Sequence, residues 1–269
     1  RGLTVRNCDI DARYVAIFLA YTAGADIHDN TIRLDQYSVS TYIYGIYFYA
    51  FNNAPAWSLN IFNNRIDKLQ TVNYGATGID LGTMGFTVAH TPITFNVYNN
   101  MICGFNFTTA TPVSNVYYRG IYCDAYYNGN NNRDVFINIC HNSIYMPHFA
   151  NLTWTDNTTG WPRVQGIGFP TRTGNSRTID VRNNNIRVEQ NFAACLHPGI
   201  STAYATRTIN YNNLSADTAN GALTVRYNNT ATVYPALADW QADLGREYDQ
   251  NSMASNPFTA QNPPDITGV

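Results

Sequence analysis

The chain has 269 residues, 45% of them hydrophobic, enough for one substantial core. Only 13% are charged and the net charge is −2, which argues against nucleic acid, because phosphate binding needs clustered Lys and Arg. No apolar run approaches the length of a membrane-spanning helix, so no membrane span is expected.

In chain order, one six-residue motif recurs: apolar, any residue, polar or aromatic, Asn, any residue, apolar. Copies stand at 27–32, 61–66, 97–102, 139–144, 181–186 and 209–214, with weaker copies at 5–10 and 225–230. A second motif alternates with it: a small residue, usually Gly, then an apolar residue, at 16–19, 45–48, 78–81, 120–123 and 166–169, and partly at 199–202. Period-two alternation within each predicts two short strands per unit, joined by turns. Successive Asn positions lie 16 to 42 residues apart, so loops of different size decorate a constant kernel.

Two short strands cannot bury their apolar faces alone, but coils stacked about 4.8 Å apart can. The expected fold is therefore all-β: a right-handed parallel β-helix of seven or eight coils, on the order of 35 Å long. Asn30, Asn64, Asn100, Asn142, Asn184 and Asn212 are expected at its bends. There each would take left-handed dihedrals and bond to the coils above and below as a structural ladder. Cys8 stands in the same place in the first unit, as a small buried residue can. Cys123 takes an inward slot; among the five cysteines buried thiols are the default, with at most one inter-coil disulfide. Helical spacing of Leu237, Trp240 and Leu244, ended by Gly245, predicts a helix over 236–245 that caps the open end. The division is residues 1–235 for the β-helix and 236–269 for a capping helix and extended tail.

The paired motifs resemble the right-handed parallel β-helix repeat of many secreted bacterial proteins, pectate lyases and polygalacturonases among them, over most of residues 2–230. The order Trp240, Gly245, Asp249, Ser252, Pro257, Phe258 is similar to the segment that closes the last coil in extracellular bacterial β-helix proteins. The resemblance implies an extracellular or cell-surface location, in a bacterium. The chain opens inside a coil at Arg1 and ends abruptly at Val269, which reads as a piece of a larger protein whose other domains would be partners.

Stacked as one sheet, the Gly-Ile strands turn Tyr47, Tyr49, Asp80, Tyr122 and Asp124 outward, with Arg172 slightly beyond. Aromatic faces beside carboxylates and an Arg hold sugars well, because rings stack and hydroxyls hydrogen-bond. Asp80 and Asp124 are offset by one coil and two strand positions, roughly 8 Å, within the range for inverting glycoside hydrolysis. A polar exposed sheet would carry two Asp without any such role. A lyase would need a base and cations or Ca²⁺, and Tyr122, Arg119, Arg172, His90 and His197 are the types on hand. Lys68, the sole lysine, has no partner in view. No Asp-Asp, Gly-His-Gly or Arg-Ile-Lys element of the polygalacturonase kind occurs, nor a pectate-lyase arginine block. Trp154 and Trp161 sit in the long insertion after residue 145, where they serve either recognition or loop packing. No histidine has a second at ligand spacing, so neither metal nor cofactor is expected outside the lyase case. The first expectation is a non-catalytic module that recognises a polysaccharide or surface glycan, or a rigid adhesin-like segment. The alternative is a glycoside hydrolase or polysaccharide lyase.

Overall fold

In the computed structural model of this chain, the described residues are 2–20, 22, 24–35, 41–49, 57–72, 74–82, 92–108, 116–124, 135–150, 163–169, 177–190, 193–198, 207–217, 223–227, 232–242 and 250–254. They wind into a parallel β-helix of seven coils, with three sheets running its length.

Sheet A stacks β1 (Leu3–Arg6), β4 (Ala25–His28), β7 (Trp57–Phe62), β10 (Ile93–Tyr98), β14 (Val135–Cys140), β17 (Arg177–Arg182) and β20 (Arg207–Asn210). Sheet B stacks β2 (Asp9–Ala12), β5 (Thr31–Asp35), β8 (Arg65–Thr71), β11 (Met101–Ile102), β15 (Ser143–Met146), β18 (Asn185–Val188) and β21 (Asn213–Ala216). The short β12 (Phe105–Phe107) also lies on β8. Sheet C stacks β3 (Val15–Ala20), β6 (Ile43–Tyr49), β9 (Ala76–Leu81), β13 (Tyr118–Cys123), β16 (Val164–Phe169), β19 (Ala193–Pro198) and β22 (Leu223–Tyr227). It ends on an antiparallel β23 (Thr232–Tyr234).

Each coil thus holds three strands rather than two, because the Asn motif is a corner, not a strand. In residues 61–66, for example, Ile61 closes sheet A, Ile66 lies in sheet B, and both are fully buried. Of the copy at 225–230, the described part belongs to Leu223–Tyr227, which pairs with β19 as the last parallel strand of sheet C, and residues 228–230 lie outside the described residues.

Two neighbouring residues divide the work expected of the ladder Asn. The left-handed backbone falls one position earlier, at Asn7, Asp29, Asn63, Asn99, His141, Asn183 and Tyr211, with φ between 54° and 58°. Asn and Asp tolerate that region best, which explains most of these choices. The ladder residue proper uses its amide. Asn100 Nδ2 donates to Asn142 Oδ1 at 3.0 Å and to the Ile61 carbonyl at 2.9 Å. Its own Oδ1 accepts the backbone N–H of Asn64 at 3.1 Å and the Asn64 side chain at 3.0 Å. The same pattern links Asn30, Asn142, Asn184 and Asn212, and all of these residues are buried. The corner's buried polar groups are thereby satisfied. Cys8 does occupy the first rung, its N–H donating to Asn30 Oδ1 at 3.0 Å, but it is exposed rather than buried.

The core is made of in-register apolar rows: Ile27, Ile61, Val97, Ile139, Val181 and Ile209 from sheet A, and Ile32, Ile66, Ile102, Ile144 and Ile186 from sheet B, all at most 1% exposed. Each such side chain contributes roughly 1.5–3 kcal/mol by burial. The glycines of sheet C exist because these rows press on them. A Cβ on Gly78 would stand 2.5 Å from Ile102 Cγ2 and 2.7 Å from the Gly120 carbonyl oxygen. All five cysteines are free thiols, so no inter-coil disulfide forms; Cys123 is fully buried, as its inward slot requires. Lys68 has a partner after all, an ion pair with Asp35 across sheet B.

The C-terminal end is closed by three devices. Helix α1 (Leu237–Gln241) covers the core with Leu237 and Trp240, the latter fully buried and 4.9 Å from the Tyr234 ring. It is shorter than expected, with Ala242 as C-cap; Leu244, Gly245, Asp249, Pro257 and Phe258 lie outside the described residues. Strand β23 covers the edge of sheet C. Residues 250–254 add one more rung: Asn212 N–H donates to Ser252 Oγ at 2.7 Å, and Met253 bridges Asn213 in parallel.

Candidate functional site

The three corners of a coil are unequal. Between sheets A and B the connection is always two residues, whereas the connections that flank sheet C strands vary in length, from two residues between β2 and β3 to 17 between β15 and β16. Variable loops over a fixed sheet are where binding surfaces are built, so the outer face of sheet C is the candidate site.

Register carries its central column. Phe18 pairs with Tyr47, Tyr47 with Asp80, Asp80 with Tyr122, and Tyr122 with Gly168. Ile79 and Leu81 point into the core at 0% exposure, so Asp80 between them points outward. It is nonetheless only 6% exposed, and Asp124 is 5% exposed. This corrects the expectation of two carboxylates on an open polar sheet: half-buried Tyr47 and Tyr122 flank Asp80 along the rod axis. Tyr49 is half-buried on the same face, its ring 6.0 Å from that of Tyr47. A Cβ at Gly168 would collide with the Gln165 side chain, 1.9 Å from its Oε1, and would stand 3.3 Å from Tyr122 Cδ2.

Burial sets the electrostatics. Desolvation raises Asp80 from 3.8 to about 7; the Arg119 charge opposes the rise and the Asp124 charge adds to it. The Tyr44 phenol is pushed well up by burial first and by the Asp80 charge second, and Tyr47 is raised by the same two causes. Asp80 therefore holds a proton over much of the neutral range beside a second buried carboxyl on the next coil. Their spacing stays at one coil and two strand positions, roughly 8 Å. Such a pair can donate and accept hydrogen bonds to hydroxyls, or exchange a proton with a bound group.

The sequence reading named Arg119 only as a cation available to a lyase and did not place Tyr44 on this face. Strict alternation puts Arg119 inward when Ile121 is inward. In each Gly-Ile strand, however, Gly and Ile are buried in succession, so the residues on either side of that pair share the outer face. Tyr44 consequently stacks on Tyr47, centroids 4.6 Å apart, and the Arg119 guanidinium lies 3.7 Å over the Tyr122 ring. Arg119 also lies 4.5 Å from the centre of the Tyr117 ring, as does Arg163. The recurrent Gly was the visible signal, since a Gly inside a strand often marks a break in alternation.

Arg172, Trp154, Trp161 and His90 lie outside the described residues. The backbone of His197 pairs with Gly168 at the far end of the column. Among the described residues, no group of three His, Cys, Asp or Glu is placed to hold a metal ion, and no helix is long and apolar enough to cross a membrane. No protein-family model, curated protein or solved structure matches the chain.

Proposed function

We propose that this chain is a β-helix module of a secreted or cell-surface bacterial protein, and that the outer face of sheet C recognises a glycan. One observation carries the reading: a near-buried carboxyl pair, Asp80 and Asp124, set among the half-buried rings of Tyr44, Tyr47, Tyr49 and Tyr122 and the Arg119 guanidinium. Rings offer apolar platforms to sugar faces, and the carboxyls and guanidinium offer directional bonds to hydroxyls. The remaining length of the rod serves as a rigid spacer within a larger protein.

A second reading, glycoside hydrolysis, is favoured by one specific feature. Asp80 is raised to about 7 by burial, the property of a general acid, with Asp124 at a spacing that suits inversion. A panel of neutral, carboxylated and sulfated polysaccharides, read for binding and for new reducing ends, separates the readings. Binding without release supports recognition. Release abolished by Asp80→Asn/Asp124→Asn makes the chain a hydrolase, and silence in both leaves a spacer.

A further inference from the structure

We propose that Arg119 and Arg163, ranged on the Tyr117 ring at the edge of sheet C, form a subsite for an oxyanion substituent of the bound glycan. This rests on the glycan reading above and specifies the ligand's chemistry. Both guanidinium carbons are 4.5 Å from the centre of the Tyr117 ring, so they lie no more than twice that distance apart. An anion at this edge would be attracted by both charges. Arg119 makes no ion pair among the described residues, and its buried Nε has no hydrogen-bond partner there. A buried N–H left without a partner costs about 1–3 kcal/mol, which a ligand oxygen would recover.

Several basic side chains on sheets A and B are neutralised within the chain. Arg33 pairs with Asp9 and Asp11, Arg65 with Asp67, Arg182 with Asp180, and Arg187 with Glu189. Arg119, like the exposed Arg6 and Arg13, makes no ion pair among the described residues, but its Nε is buried on the face proposed to meet a ligand. Its guanidinium carbon also lies 3.7 Å from the centre of the Tyr122 ring, a cation–π contact that restricts the side chain. Stacked Arg is suited to planar, two-point recognition of carboxylate, sulfate or phosphate.

The test uses the whole chain against polysaccharides in three anionic classes, uronate-bearing, sulfated and phosphate-bearing, alongside neutral ones. The expected result is preference for an anionic class, weakened at 0.5 M salt. Arg119→Gln should then lose on the order of tenfold to a hundredfold in affinity for it, the scale of one charge-assisted hydrogen bond. Arg33→Gln, on the outer face of sheet B, should leave binding unchanged. Arg119→Lys tests geometry: it keeps the charge but not the stacked fork, and should recover only part of the loss. Thermal unfolding of each variant separates misfolding from lost contact. Equal binding of neutral and anionic glycans, with Arg119→Gln inert, overturns the oxyanion subsite and leaves the glycan face intact. Binding to no glycan overturns both.

Discussion

The corner between sheets A and B and the outer face of sheet C are built from similar residue types to opposite ends. At the corner, buried Asn side chains spend every donor and acceptor on the coils above and below. On sheet C, Arg119 Nε has no hydrogen-bond partner among the described residues, and burial raises Asp80 to about 7. The first pattern stabilises the rod; the second lowers stability in favour of groups that can meet a ligand.

Breaking the corner should produce the largest effect. Asn100→Ala leaves the Asn64 backbone N–H without its acceptor and removes one donor each from Asn142 Oδ1 and the Ile61 carbonyl. A loss of about 3–5 kcal/mol is expected, read by urea or thermal unfolding. The next largest effect has the opposite sign. Because Asp80 is raised in the folded chain, the folded state keeps a proton that the unfolded state releases above pH 4. Its contribution therefore favours folding below about pH 4 and declines as pH rises towards 7. Asp80→Asn removes that decline and should stabilise the chain at pH 8 by up to about 4 kcal/mol, with little gain at pH 3. Gly78→Ala, which forces a methyl against Ile102 and the Gly120 carbonyl, should cost about 1–3 kcal/mol in the same unfolding assay. Arg33→Ala, on an exposed ion pair with Asp9 and Asp11, should change stability by less than about 1 kcal/mol.

Much of this contrast was legible in the chain. The Asn recurrence marks the ladder and the coil stack because a repeated corner must present the same side chain to the same neighbours. Trp240 and Ser252 stand in the tail where closure requires them, yet Ser252 as an extra rung could not be read, since its partner Asn212 lies 40 residues earlier. The division of labour between Asn99 and Asn100 was also hidden, because two adjacent Asn residues look alike until φ is known. At the site, Asp80, Asp124, Tyr47 and Tyr122 followed from alternation. Arg119 and Tyr44 did not, because the Gly-Ile pair shifts the phase of the strand. Burial of the two carboxyls depends on ring placement across coils, which no one-dimensional pattern carries.

One paired measurement tests the division between corner and face most directly: the melting temperature and the glycan affinity of Asp80→Asn/Asp124→Asn at pH 8. The expected result is a melting temperature equal to or above that of the parent chain, with glycan binding lost. A variant that melts lower while binding glycan as the parent does would contradict it, and would place these carboxyls among the scaffold.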